Sequence, residues 1–190
     1  TELNKAVSTM VNKLQASCLL LLITITVLSH GAVDQSVINL EGQWGFAGDP
    51  EDVGIVESWY GKSLDGIINL PGITDDIEYG KPHELTLELN EKVLHGLARK
   101  YSYIGPAWYQ KEVVIPEDWA NKVIKLHLER LMWETQVWVD DKKVSLADSL
   151  VVPHVYDLTE YLTPGNHRLT IRVNNFKKFD LGNWTHAYSG

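Results

Sequence analysis

The stretch Val123-Ile-Lys-Leu-His-Leu-Glu129 decides the fold class, because every second residue from Ile124 to Leu128 is aliphatic and those between are polar. Successive side chains of a β-strand point to opposite faces, so a period of two puts the aliphatic side chains on one face. The stretch is therefore predicted to be a strand with one face in a hydrophobic core and the other in solvent.

The same period of two returns in Thr135-Gln-Val-Trp-Val139. The polar run Asp140-Asp-Lys-Lys143 that follows is typical of a turn, and apolar residues resume at Val144. The two apolar runs are predicted to pair as a β-hairpin around this turn.

A third alternating stretch is Leu169-Thr-Ile-Arg-Val-Asn174, and Pro164-Gly165 predicts a turn before it. The apolar residues at positions 169, 171 and 173 are expected to face inward. The polar residues Thr170, Arg172 and Asn174 are expected to face outward.

Two further segments complete the pattern. Tyr109 to Ile115 predicts another strand, and Pro116 to Trp119 predicts a turn or a helical turn. Residues 84–100 fit a helix or two strands, and both interpretations stay open. Several short strands separated by turns, without a long amphipathic helix, predict an all-β protein built as an antiparallel sandwich or barrel.

Composition excludes several classes of function. The 190 residues are 44% hydrophobic and 22% charged, as in a folded globular protein. The net charge of -8, without a basic run, argues against nucleic acid as a partner. A single cysteine, Cys18, allows neither an intramolecular disulfide nor a cysteine-based zinc site. The seven histidines lack short metal-binding spacings, so no metal and no cofactor is predicted.

The chain opens with a pattern typical of an export signal. Lys13 precedes an apolar run from Cys18 to Leu28, and the small residues Ser29 and Gly31 fit a cleavage site. The run is shorter than the roughly 20 residues that a membrane-spanning helix needs. Residues 1–32 are thus predicted to be a signal peptide with an upstream extension before Met10. An uncleaved membrane anchor and a buried core helix are the competing interpretations.

The carboxylates nominate no catalytic pair. Glycoside hydrolysis needs two carboxyl groups about 5–10 Å apart across one bond. Glu51-Asp52, Asp75-Asp76 and Asp140-Asp141 are adjacent in sequence, and neighbours on a strand point to opposite faces, so solvated loop charges are the favoured interpretation. A Gly-x-Ser-x-Gly nucleophile motif is also lacking.

Aromatic side chains supply the candidate carbohydrate-binding residues, because an exposed ring can stack on the apolar face of a sugar while its polar atom forms a hydrogen bond. Packing in the core is the competing interpretation for each ring. The candidates, to which one histidine is added, are Tyr103, Trp108, Trp184 and His186.

Five motifs in order resemble the amino-terminal sugar-binding domain of glycoside hydrolase family 2, which includes β-galactosidases, β-glucuronidases and β-mannosidases. The motifs are Leu40-Glu-Gly-Gln-Trp44, Ile68-Asn-Leu-Pro-Gly72, Tyr103-Ile-Gly-Pro-Ala-Trp-Tyr-Gln-Lys-Glu112, Trp133-Glu-Thr-Gln-Val-Trp-Val-Asp140 and Pro153-His-Val-Tyr-Asp-Leu-Thr159.

The resemblance implies a galactose-binding-like jelly roll over residues 39–190, joined to the signal by a linker at 33–38 and truncated at its carboxyl end. It further implies that an immunoglobulin-like sandwich and a (β/α)₈ barrel follow in the parent enzyme, and that the barrel holds both catalytic glutamates. In some β-galactosidases of the family the first domain lends an Asn to the active site. The corresponding loop, Tyr103 to Trp108, has no Asn, so structural support of the barrel is the implied role.

The expected function is that of the sugar-binding domain of an exported, β-galactosidase-like hydrolase, located in the periplasm, at the cell surface or outside the cell. No catalytic residue is expected in this chain, and its partners would be carbohydrate and the downstream domains. A free-standing carbohydrate-binding module and a scaffold domain without ligand are the alternatives, and a homo-oligomer is left open.

Overall fold

The computed structural model describes residues 36–83, 100–129 and 131–176 of the chain. The chain divides into two compact units, Thr1–Asn39 and Leu40–Gly190. Almost all of the first unit, most of the segment left open as helix or strands, and the carboxyl end lie outside the described residues. All of the elements below belong to the second unit.

The described part of the second unit is built mainly of strands. Three short 3₁₀ helices occupy Trp59–Gly61, Thr74–Ile77 and Glu117–Trp119, and the last of these confirms the helical turn predicted after Pro116. The strands, in chain order, are β1 (Gly42–Gly48), β2 (Gly66–Leu70), β3 (Lys81–Pro82), β4 (Tyr101–Ser102), β5 (Pro106–Ile115), β6 (Lys125–Leu128), β7 (Glu134–Val139), β8 (Lys142–Asp148), β9 (His154–Asp157) and β10 (Gly165–Asn174).

The largest sheet has six strands in the order β2-β1-β5-β10-β7-β8, and all of its pairs are antiparallel. Two small antiparallel sheets, β6-β9 and β3-β4, accompany it. β10 is central, because it pairs with β5 along its whole length and with β7 from Leu169 to Asn174. The predicted antiparallel β-sandwich is confirmed.

One face of the six-stranded sheet carries the hydrophobic core. The register places residues from five strands on this face, where aromatic and aliphatic side chains interlock, as the cross-strand pairs of a sheet do. Its buried members are Trp44, Phe46, Ile68, Val113, Ile115, Val137, Val139, Leu169 and Ile171. Leu126 of β6 and Tyr156 of β9 are buried as well, so the small sheet packs by its apolar face.

A buried hydrogen-bond network joins β7 to β9 across the sandwich. The imidazole Nε2 of His154 lies 3.0 Å from the carbonyl oxygen of Ser149, which can only accept, so Nε2 donates. The hydroxyl of Thr135 lies 2.5 Å from the other ring nitrogen of His154 and 2.5 Å from the phenol oxygen of Tyr156. That phenol donates to the carbonyl oxygen of Thr135 at 2.9 Å. The network fixes how the two sheets face each other.

The alternating pattern of β6 is confirmed, because Ile124 and Leu126 are buried while Lys125 and His127 are exposed. The predicted β7-β8 hairpin is also confirmed, but its turn is shorter than expected. Val139 pairs directly with Lys142, so the loop is two residues long. Asp140 takes the left-handed backbone conformation, with a φ of 53°, that so tight a turn requires.

Thr170 and Arg172 lie on the face opposite the hydrophobic core, as the alternation predicts, but the expectation that this face is outward, in solvent, is wrong. Their exposed fractions are 0% and 3%, because residues 49–61 form a second layer over the face of the sheet opposite the hydrophobic core. We call residues 49–61 the covering segment. A central strand covered on both faces has no solvent face, so its polar side chains are buried and need partners.

Among the described residues, no helix has the length and apolarity to cross a membrane.

The network around Thr135 yields a stability prediction. Thr135→Val keeps the shape of the side chain but removes its hydroxyl, which leaves a ring nitrogen of His154 without a partner. We expect the free energy of unfolding to fall by about 1–3 kcal/mol, measured by urea denaturation. The exposed Thr163 provides a matched control, because Thr163→Val should stay near wild type. An equal loss in the two variants would contradict a special role for the buried hydroxyl.

Candidate carbohydrate-binding face

The structure places Tyr103 inside the domain, just before β5. Its side chain is 9% exposed, and its phenol donates to the carbonyl oxygen of Pro106 at 2.6 Å while it accepts from the backbone N–H of Asp49 at 2.9 Å. The amide of Asn175 clamps this turn, because it accepts from the N–H of Gly105 and donates to the carbonyl oxygen of Tyr103. Tyr103 therefore joins β5 to the start of the covering segment.

Asp49 is the centre of the covering segment's attachment. Its carboxylate is almost fully buried and accepts three hydrogen bonds: from the N–H of Val53 at 2.8 Å, from the N–H of Gly54 at 2.9 Å and from Nε1 of Trp108 at 2.9 Å. A side chain at Gly54 would collide with the indole of Trp108, since a Cβ there would lie 2.5 Å from its Nε1. Only glycine allows the segment to approach this closely.

Trp108 lies in an aromatic layer between the sheet and the covering segment. Its ring centroid is 5.1 Å from that of Trp138 and 6.1 Å from that of Trp59. Tyr60 stacks on Trp138 at 5.4 Å with an interplanar angle of 6°. Trp108 is 0% exposed, so in this conformation it offers no ring face to a sugar. Its contact with carbohydrate stays a prediction, and its visible role is packing.

Trp59 and Tyr60 are the members of this layer that remain partly exposed, and sequence reasoning did not nominate them. Trp59 donates from Nε1 to a carboxylate oxygen of Glu57 at 2.9 Å, and Tyr60 donates to the hydroxyl of Ser58 at 3.1 Å. The sequence signal was the Trp-Tyr pair near the end of a segment that contains the turn-forming residues Asp49, Pro50 and Gly54. An exposed ring beside polar atoms is the combination that binds a sugar.

Arg172 ties the covering segment to the sheet through charge. It donates from one terminal nitrogen to Asp52 at 2.6 Å and from the other to Glu134 at 3.5 Å. Asp52 is half exposed, while Arg172 is buried. The expectation of simple solvated charges is therefore wrong for Asp52, which pairs with the buried Arg172. It is also incomplete for Asp140, whose carboxylate lies 2.9 Å from Nδ1 of His167.

A shallow cleft of about 340 Å³ adjoins the aromatic layer. Gln110 links the two, because its amide donates to the carbonyl oxygen of Trp59 at 3.0 Å. The cleft also presents Gln43, Glu112 and the exposed aliphatic side chain of Ile67. A pyranose ring has hydroxyl groups around its edge and an apolar face. Amides and a carboxylate could bond to the hydroxyl groups, while the apolar surface contacts that face.

The remaining candidates, Trp184 and His186, lie outside the described residues and stay predictions. Within residues 36–83, 100–129 and 131–176, no group of three His, Cys, Asp or Glu side chains is arranged to hold a metal ion.

Burial raises the pKa values of three tyrosines near Asp49 and β5. Burial raises the pKa of Tyr103 well above its ordinary value, and it raises the pKa of Tyr109 to about 12. Burial and then the charge of Asp49 raise the pKa of Tyr79, whose ring packs edge-on against that of Tyr103 at 5.0 Å. These phenols are therefore hydrogen-bond donors at neutral pH.

Comparison with known proteins places this geometry in context. A family model described as "Glycosyl hydrolases family 2, sugar binding domain" matches residues 37–185. A β-glucuronidase of Paenibacillus borealis is 25% identical over 142 residues, which cover 74% of this chain and 21% of that protein. A β-glucuronidase of Sus scrofa is 24% identical over 145 residues, covering 72% and 20%. The chain thus spans about a fifth of the length of these relatives.

Solved structures share the fold. The crystal structure of Ruminococcus gnavus β-glucuronidase superposes with a TM-score of 0.52 at 22% identity, covering 72% of this chain and 21% of that one. A β-glucuronidase of an uncultured Clostridium species gives 0.53 at 22% identity, covering 74% and 22%.

The attachment through Asp49 is tested by Asp49→Asn, in which an amide NH₂ replaces one accepting oxygen and faces an N–H donor. We expect a loss of about 1–3 kcal/mol in the free energy of unfolding, together with a change in tryptophan fluorescence as the indole of Trp108 loses its partner. Asp65→Asn is the matched control at an exposed position. Equal unfolding curves for Asp49→Asn and wild type would contradict the attachment.

The buried phenols predict an alkaline instability. Their pKa values in the folded state lie above the ordinary value of about 10, so the protonated form stabilises the fold. This contribution is fully present below about pH 10 and is lost as the pH rises through about 12, the pKa of Tyr109. We expect the free energy of unfolding to fall over this window, with a shallower slope in Tyr109→Phe. Urea denaturation at a series of pH values measures both slopes, and identical slopes would contradict the prediction.

Proposed function

Because this chain belongs to glycosyl hydrolase family 2, we propose that it is the non-catalytic sugar-binding β-sandwich of a larger enzyme that hydrolyses terminal β-glycosidic bonds. The observation that carries the proposal is the match over residues 37–185, which includes every strand of the described fold. The relatives are about five times longer than the matched region, so the catalytic groups are assigned to a part of the parent enzyme beyond this match.

The relatives' names favour a β-glucuronide as the substrate of the parent enzyme. A β-galactoside, expected from the sequence resemblance, is the second candidate. The two sugars differ at C6, which is a carboxylate in the glucuronide and a hydroxymethyl group in the galactoside, and in the configuration of the hydroxyl at C4. A site that distinguishes them would belong to the catalytic domain. Immunoglobulin-like and barrel domains are the proposed partners of this sandwich within the same polypeptide.

Export is proposed for the same protein. The apolar run from Cys18 to Leu28, with a lysine before it and small residues after it, supports a signal peptide and a periplasmic, cell-surface or extracellular location.

A free-standing carbohydrate-binding module is the second candidate function. The partly exposed rings of Trp59 and Tyr60, next to the cleft that presents Gln43 and Gln110, favour it. In this case the chain would bind glycans without any further domain.

The leading proposal predicts that the chain alone does not hydrolyse glycosides. Aryl β-glucuronide, β-galactoside and β-mannoside substrates should release aryl alcohol at the rate of a protein-free blank over a long time course. Robust turnover that follows the protein through purification would contradict a non-catalytic role.

The same preparation separates the two candidates by glycan titration. If the chain is an independent module, tryptophan fluorescence should saturate with a glycan, and Trp59→Ala should weaken binding by about tenfold or more, as expected for the loss of one stacking ring. Trp119→Ala, at a half-buried ring outside the aromatic layer, is the matched control. Absence of binding across a panel of glucuronides and galactosides would reject the module and leave the supporting role.

A further inference from the structure

Three buried polar atoms on the covered face of the sheet have no hydrogen-bond partner in the described structure. They are Nε of Arg172, Oε1 of Gln136 and Oγ1 of Thr170. The side chains are 3%, 7% and 0% exposed, so bulk water does not reach them. A buried polar atom without a partner lowers the stability of the fold by about 1–3 kcal/mol. Three such atoms on one face of the sheet therefore indicate a shared hydrogen-bond partner.

The strand register brings the three residues together. Arg172 of β10 lies directly opposite Gln136 of β7, and Thr170 lies two positions earlier on the same face of β10, opposite Trp138. Opposed side chains in a sheet start about 5 Å apart and positions two apart on a strand about 7 Å, so these three can converge on one point. Tyr60 of the covering segment stacks on Trp138, the residue opposite Thr170.

The hydrogen-bonding roles of the three atoms are complementary. Nε of Arg172 can only donate, the amide oxygen of Gln136 can only accept, and the hydroxyl of Thr170 can do either. The amide orientation of Gln136 is consistent, since its NH₂ points toward a carboxylate oxygen of Glu134 at 3.5 Å and its oxygen points away. One small molecule that both donates and accepts would satisfy all three.

Charge excludes an ion at this point. The guanidinium of Arg172 already faces two carboxylates, Asp52 at 2.6 Å and Glu134 at 3.5 Å, so a further anion would meet two negative charges and a cation would meet the guanidinium. We propose that a single internal water molecule lies between the sheet and the covering segment, accepting from Nε of Arg172, donating to Oε1 of Gln136 and bonding to Oγ1 of Thr170. Buried waters typically make about three such bonds, and roughly one occurs per 27 residues.

The water joins β7 to β10 directly, since Gln136 lies on β7 while Thr170 and Arg172 lie on β10. By holding Nε, it fixes the plane of the guanidinium, and the plane decides whether the terminal nitrogens of Arg172 reach Asp52 and Glu134. The water thus acts on the covering segment indirectly, through the ion pair of Arg172 with Asp52.

The wild-type chain tests the proposal directly. In solution, the Nε–H of Arg172 should show a nuclear Overhauser effect to water with the sign of a molecule that tumbles with the protein. In a crystal structure, a density peak should lie about 2.7–3.2 Å from all three atoms. A direct hydrogen bond between Gln136 and Arg172, with no peak between them, would overturn the proposal.

Thr170→Val tests the proposed water by the direction in which the midpoint of thermal unfolding changes. If the hydroxyl of Thr170 holds a water, its removal should lower the midpoint of thermal unfolding by about 2–4 °C. If the hydroxyl is without any partner, the same change should leave the midpoint unchanged or raise it, and this result would overturn the proposal. Thr163→Val, at an exposed threonine, is the matched control.

Gln136→Met, which keeps the length of the side chain, tests whether Gln136 and Thr170 are energetically coupled. Because one water serves both residues, the double variant with Thr170→Val should lose less than the sum of the single losses. Additive losses would count against a shared water.

Discussion

The buried carboxylate of Asp49 is the interaction on which the second layer of this domain depends. A carboxylate out of water is costly unless its oxygens accept hydrogen bonds, and here Val53, Gly54 and Trp108 supply three donors. Two of these donors belong to the covering segment and the third belongs to β5. The same group therefore folds the segment on itself and fastens it to the sheet.

The burial of Arg172 follows from this attachment. Once the segment lies over the sheet, the guanidinium can no longer reach bulk water, and Asp52 of the segment and Glu134 of β7 take over its solvation. A buried pair of this kind is weak evidence for added stability, because desolvation offsets much of the attraction. Its clearer consequence is specificity, since a segment shifted along the sheet would leave Arg172 without Asp52.

Local pattern was sufficient to predict the strands but not the layers. The alternation of β6, β7 and β10 is a property of neighbouring residues, so the sequence contains it directly. The burial of Thr170 depends instead on the position of β10 between β5 and β7, and on the covering segment, which lies more than 100 positions away in the chain.

The hairpin turn was predicted to be two residues longer than it is, for a related reason. Lys142 and Lys143 are polar as turn residues are, but a strand with an exposed face accepts them equally well.

The candidate site shows the same limit. Trp108 and Tyr103 combine a ring with a polar atom, and that chemistry serves a sugar-binding platform or a satisfied core position equally. The partner that decides between them is Asp49, more than 50 positions from either ring. A local signal for the attachment does exist in Asp49-Pro50 followed by Gly54, because Asp side chains commonly accept from backbone N–H groups just ahead of them in turns.

The two faces of the six-stranded sheet have different structural roles. The apolar face supplies the burial that stabilises the fold, while the polar and aromatic face sets the position of the covering segment through directional bonds. The outer side of that segment then becomes part of the surface. Ile55 and Val56, exposed at 41% and 85%, lie on it together with the free edges of Trp59 and Tyr60. On this side of the sandwich, the exposed surface is therefore set largely by the covering segment, whose position Asp49 determines.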